Sequence, residues 1–97
     1  MEVQIKRSNR KDKKFDAIID GKKTVSFGAA GMSDYTKHKD AERKERYIAR
    51  HKKNEDWSNP KTAGFYAKNV LWNKTSLQAS VADINKKFPM LNVKLKL

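Results

Sequence analysis

The sequence has no cysteine, only two prolines, few acidic residues and no long hydrophobic run. Without cysteine, disulfides and thiolate metal sites are excluded, and the composition is consistent with a reducing compartment. No apolar stretch approaches the ~20 residues that a membrane-spanning helix needs, and the charged start Met1-Glu2-Val3 is unlike a signal peptide. We therefore expect neither a disulfide framework nor a membrane-spanning helix.

What the chain has in excess is positive charge. Its 97 residues include 23 Lys and Arg against 11 Asp and Glu, which gives a net charge of +12 and a pI of about 10.0. From residue 57 onward, Asp83 is the only acidic residue. This imbalance predicts an anionic partner. We see no internal repeat and no low-complexity tract, so we expect a single domain over residues 1–97.

The first 27 residues are predicted to form a small antiparallel β-sheet. Val3 and Ile5 alternate with polar residues, as in a half-buried strand. Two further strands are expected around Asp20-Gly21. A two-residue turn there would divide the apolar residues between the faces of the sheet. We favour a three-residue loop, Ile19 to Gly21, which pairs Phe15 with Val25.

Three helices are predicted between residues 39 and 88, followed by a strand at 91–97. The first covers Lys39 to Lys53, the second begins at Asn59-Pro60, and the third begins with a capping box from Thr75. The final strand is indicated by apolar residues that alternate with polar ones. It either returns to the N-terminal sheet, which we favour, or adds to the sheet edge of a neighbouring molecule. The expected fold class is therefore α+β.

One face of the first predicted helix is a row of cations. At 100° per residue, its members fall within an arc of about 80° and extend for roughly 21 Å. They are Lys39, Arg43, Arg46, Arg50 and Lys53. Such a row suits a phosphate backbone or an acidic protein surface. Charged helix faces are also commonly just solvated, so this plainer interpretation stays open.

Apolar residues on two sides of the second helix, and in the tail, suggest protein contacts. Phe65 and Trp72 point almost opposite to the main apolar side of their helix, so they are either sandwiched inside the domain or anchors for a partner. Leu95 and Leu97 in the last strand are further interface candidates, and homo-oligomer formation stays open.

No motif indicates catalysis, a metal or a cofactor. Gly28-Ala29-Ala30-Gly31 lacks the residues of a phosphate-binding loop and reads as a turn that ends the sheet. His38 and His51 lie thirteen residues apart without metal-ligand spacing. Asp34, Tyr35, His38 and Asp40 form an incomplete catalytic set without a nucleophile or an oxyanion donor. We predict a non-enzymatic protein with no catalytic residues, no metal site, no cofactor and no small-molecule substrate.

The central run Phe27 to Asp40, and its continuation Glu42 to Trp57, resemble an uncharacterised family of small basic proteins of large nucleocytoplasmic DNA viruses. Thr62-Ala63-Gly64-Phe65 and Leu71-Trp72-Asn73-Lys74 match its general pattern, and the likeness extends from Lys14 to Phe88. The resemblance implies a viral origin and a virion component. It brings no established activity and no catalytic residues.

The sequence and the resemblance together support two functions. The first is a structural component of a large DNA virus particle, a minor capsid or core protein that bridges virion proteins or the genome. It would be found in the virion, and in the host cytoplasm or nucleus during infection. The second is a double-stranded DNA-binding protein that contacts phosphates largely without sequence preference.

Overall fold

The computed structural model describes residues 1–53 and 57–97. Its strands are β1 (Glu2–Arg7), β2 (Lys13–Ile19), β3 (Lys23–Ala29) and β4 (Asn92–Leu95). Its helices are α1 (Tyr35–His38), α2 (Ala41–His51), α3 (Ala63–Tyr66) and α4 (Leu77–Lys87), and α3 continues into a π-helical turn (Ala67–Leu71). The α+β class is confirmed.

The four strands form one mixed sheet in the order β3-β2-β1-β4. β1, β2 and β3 are antiparallel neighbours, and β4 returns to lie parallel to β1 at the edge. In this register Val3 is opposite Val93 and Ile5 is opposite Leu95. The predicted return of the tail to the N-terminal sheet is confirmed.

The hairpin between β2 and β3 corrects the predicted register. Phe15 pairs with Phe27 rather than Val25, and the three-residue loop is Asp20 to Lys22. Ile19 therefore stays in the strand opposite Lys23, where it is buried in the core instead of belonging to the loop. Asp20 and Gly21 both have positive φ, which lets the chain reverse there. The shift is by two residues, so the inward-facing set is unchanged.

Besides α2, which begins at Ala41 rather than Lys39, two further helix starts differ from the sequence prediction. Thr62, not Asn59, is the N-cap of α3, and its hydroxyl accepts a bond from the Phe65 amide (3.3 Å). Asn59 instead closes a turn in which its side chain accepts from the Lys61 amide (3.0 Å). Ser76, not Thr75, is the N-cap of α4. Ser and Thr occur close together in both regions, and only the backbone geometry selects the residue that caps.

The hydrophobic core contains residues from every strand and from the helical segments after residue 62. Its largest fully buried side chains include Tyr66, Phe27, Phe65 and Ile5. The rings of Phe27 and Tyr66 lie 5.7 Å apart, so the sheet is directly packed against α3. This packing fixes the end of β3 relative to the helical segment that follows, and the candidate site lies there.

Candidate anion-binding cleft

The structure divides the predicted cation row. Arg43, Arg46 and Arg50 lie on α2 as expected. Lys39 is instead the C-cap of α1 with a left-handed backbone (φ 56°), and Lys53 follows the C-cap residue Lys52. Both lysines are exposed and outside α2. The helical row is therefore three arginines long.

These arginines border a cleft of about 450 Å³ between α2, the end of β3 and the α3–π segment. Lys13 and Lys14 at the start of β2 line it as well. The cleft thus collects cations from two elements that are about thirty residues apart in sequence, a proximity that helical periodicity alone does not reveal.

Asp34 is the only acidic residue among the described residues that line the cleft, and it is already neutralised. Its carboxylate accepts a bond from the Lys14 ammonium at 2.5 Å, and both side chains are nearly buried. It also caps α1 by accepting from the Thr36 amide (3.0 Å) and from the Thr36 hydroxyl. The local field is consequently set by the remaining cations.

The arginines on α2 are available to a ligand. Within residues 1–53 and 57–97, Arg43 and Arg50 make no ion pair, and Arg46 approaches Glu42 only at 3.9 Å in an exposed i,i+4 pair. Exposed pairs of this kind contribute little. Among the described residues, the only ion pair that an incoming anion displaces is the weak Arg46–Glu42 contact.

A local cap orders the start of α2, and a lysine contact joins the helix to the segment before α4. Asp40 caps its start by accepting from the Glu42 amide (3.0 Å) and the Arg43 amide (3.4 Å). Lys44 donates to the carbonyl oxygen of Asn73 (2.6 Å), which lies between the π-helical turn and α4. Burial is the main cause that lowers the pKa of Lys44, and the nearby charges of Lys74 and Lys87 add to it.

Aromatic stacking fixes the wall next to α2. Trp72 stacks on Tyr47 with the ring centroids 4.4 Å apart and the planes 4° from parallel. The His38 ring also contacts Trp72, with the two ring centroids 5.3 Å apart. Trp72 is thus half-buried in an aromatic layer that joins α2 to the π-helical turn, and it also lines the cleft.

The floor of the cleft is built by close backbone approach. Gly28 has φ +79°, and a Cβ there would lie 2.7 Å from the Leu71 Cδ1 atom. The π-helical turn, closed by a bond from the Trp72 amide to the Ala67 carbonyl (3.2 Å), brings Ala67 and Leu71 to the floor. Such turns recur at functional sites. The sequence predicts a turn at Gly28, and no sequence pattern predicts the π-helical turn.

The other predicted interface residues, Phe65, Leu95 and Leu97, differ in how deeply they are buried. Phe65 is fully buried, in edge contact with Phe88 (5.1 Å), so its side chain lies inside the core rather than at the surface. The sandwiched alternative therefore describes Phe65. Leu95 is half-buried against the core, and Leu97 is exposed.

Asp34, Tyr35, His38 and Asp40 lie close together around α1, and Asp34 and His38 each have a local hydrogen-bond partner. Asp34 is committed to Lys14 and Thr36, and the His38 Nδ1 atom accepts from the Asp40 amide (2.9 Å). No group of three potential metal ligands exists among the residues that the structure describes. No helix in those residues is long and apolar enough to cross a membrane.

A family model described as a family of unknown function, DUF5754, matches residues 3–51, which extend from β1 to the end of α2. The expectation of an uncharacterised family is thereby confirmed. The central run from Phe27 to Trp57 continues beyond this match, and its residues 54–56 lie outside the described residues. No curated protein and no solved structure matches the chain.

Proposed function

We propose, for this chain that belongs to the DUF5754 family of unknown function, a non-enzymatic role in binding nucleic-acid phosphates. Arg43, Arg46 and Arg50 would contact successive phosphates of double-stranded DNA largely without sequence preference. The wider setting we propose is a structural component of a large DNA virus particle, where binding would bridge the genome and other virion proteins.

The observation that supports this proposal is the convergence on one cleft of three arginines from α2 and of Lys13 from β2. Guanidinium groups bind phosphate oxygens in a bidentate manner, and three of them on one helical face present a continuous surface to a backbone. The acidic lining residue Asp34 is already paired with Lys14, so it does not oppose an incoming phosphate. An acidic protein surface would use the same cations and is the competing partner.

The test is a salt titration of binding to a random-sequence DNA duplex. The wild type is compared with a variant in which Arg43, Arg46 and Arg50 are all changed to Ala. Because each neutralised phosphate contributes about 0.9 to the slope of log affinity against log salt, we expect the slope to fall by about 2 to 3 in the variant. Affinity of the wild type should drop steeply between about 50 and 200 mM salt.

A matched control separates the site from net charge. Changing Lys22, Lys23 and Lys86 to Ala also removes three positive charges, from exposed positions that do not line the cleft. This control should keep most of the wild-type slope. Equal slopes for the two triple variants would refute a role for the arginine cleft, and weak binding by the wild type would direct the search to acidic protein partners.

The virion setting is supported by the resemblance of the central run from Phe27 to Trp57 and has its own test. Quantitative mass spectrometry would compare purified particles with infected cells, using an abundant capsid protein as the reference. We expect enrichment in particles. Abundance in cells combined with absence from particles would rule out a structural role in the virion.

A further inference from the structure

The arginine cleft has an apolar floor that phosphate binding does not require. Behind the cationic rim, its lining includes the apolar or small residues Ala29, Met32, Ala63, Gly64 and Ala67, together with Phe27 and Leu71, whose side chains are almost fully buried. Small side chains keep it wide, and the absence of a Cβ at Gly28 allows the strand backbone to lie directly against the Leu71 side chain. A phosphate backbone is polar throughout, so it gains nothing from this floor.

The walls are suited to a planar, apolar group with an anion attached. The orientation of the Trp72 ring is fixed by its stack on Tyr47. The three arginines follow one another at spacings of about 4.5 and 6 Å along the α2 axis. Guanidinium planes and aromatic rings both stack on nucleobases. A volume of about 450 Å³ lies within the usual range of ligand sites, about 300–1,000 Å³.

In a duplex the bases are stacked inside the helix, where this floor cannot reach them. We propose that the cleft accepts one unpaired nucleobase of a single strand, with the adjoining phosphates on Arg43, Arg46 and Arg50. This inference rests on the proposed phosphate binding and adds a preference to it. A single strand, or the frayed end of a duplex, binds more tightly than an intact duplex.

The experiment compares three fluorescent probes of about 16 nucleotides in anisotropy titrations at one salt concentration. They are a single strand, its duplex and an abasic strand that has the same phosphates but no bases. Stacking on a single base is worth roughly 5- to 150-fold in affinity, so we expect the single strand to bind more tightly than the abasic strand by a factor in this range. This comparison uses the unaltered protein.

A variant then tests whether the base binds in the cleft. Ala63 is exposed at the first residue of α3, so Ala63→Leu fills part of the cleft without entering the core. We expect it to weaken single-strand binding at least about fivefold and to leave the duplex and abasic probes nearly unchanged. Ala79→Leu, also at an exposed helical alanine but in α4, is the matched control and should have no effect.

The outcomes separate the two proposals. Equal affinity for the single and abasic strands, or an Ala63→Leu variant with unchanged single-strand affinity, would overturn the unpaired-base inference while leaving phosphate binding intact. Failure of all three probes to bind even at low salt would instead refute the proposed function on which the inference rests.

Discussion

At the scale of single residues, Tyr66 makes the stability of the folded protein depend on pH in the alkaline range. Its side chain is fully buried, and its hydroxyl has no hydrogen-bond partner among the described residues. Burial, with a smaller contribution from the charge of Asp20, raises the pKa of Tyr66 to about 12 from 10.0. Above pH 10 the unfolded chain loses this proton and the folded protein retains it, so stability falls as pH rises toward 12.

The Tyr66→Phe substitution removes this pH dependence. Between pH 10 and 12 the wild type should lose up to about 3 kcal/mol relative to the variant, since one pKa unit corresponds to about 1.4 kcal/mol. At neutral pH the variant should be at least as stable, because an unsatisfied buried hydroxyl is removed. Urea unfolding of both proteins at several pH values measures the difference, and parallel curves would contradict the prediction.

At the scale of elements, α4 protects the exposed edge of the sheet. The backbone groups of Val93 point away from β1, and the Asn85 side chain bonds both of them. Its Oδ1 atom accepts from the Val93 amide (2.8 Å), and its Nδ2 atom donates to the Val93 carbonyl (3.1 Å). A strand edge with unpaired groups invites pairing with another chain. Asn85 therefore opposes the strand addition that the alternating tail would otherwise favour.

We expect Asn85→Ala to destabilise the protein by about 1–2 kcal/mol and to promote association through β4. Gln78→Ala is the control, because Gln78 borders the same groove on α4, is exposed, and makes no hydrogen bond to β4 within the described residues. Light scattering during size-exclusion chromatography, over a range of concentrations, detects the association. A monomeric Asn85→Ala variant that unfolds like the control would show that the edge is protected by something else.

Elements with a clear repeat were predictable from the sequence, and contacts between distant elements were not. The period of two in β1 and β4, and the stripe Leu77, Val81, Ile84 and Phe88, each specified one element. The hairpin register depended on whether Ile19 is buried, which the turn residues do not determine. The Lys14–Asp34 pair joins residues twenty apart, so no local pattern marks it. Of the five predicted cations, only the three within α2 line the cleft.

At the scale of the whole molecule, the excess positive charge acts on stability as well as on binding. A net charge of +12 is carried by a body with extents of 35 × 30 × 25 Å. The Debye length is about 30 Å at 10 mM salt, so the cations repel one another across the entire protein under that condition. At 150 mM it is about 8 Å, and repulsion is limited to close neighbours.

The folded state should therefore become more stable as sodium chloride increases from about 10 to about 150 mM. A gain of about 1 kcal/mol would raise the thermal midpoint by about 4–8 °C in a domain of this size. Chloride is chosen because a polyvalent anion would bind the arginine cleft and stabilise the protein by mass action. The variant with Lys22, Lys23 and Lys86 changed to Ala should show a smaller rise, since it carries three fewer cations. A midpoint that falls with salt would mean that attractive pairs such as Lys14–Asp34 and Lys87–Asp83 outweigh the repulsion.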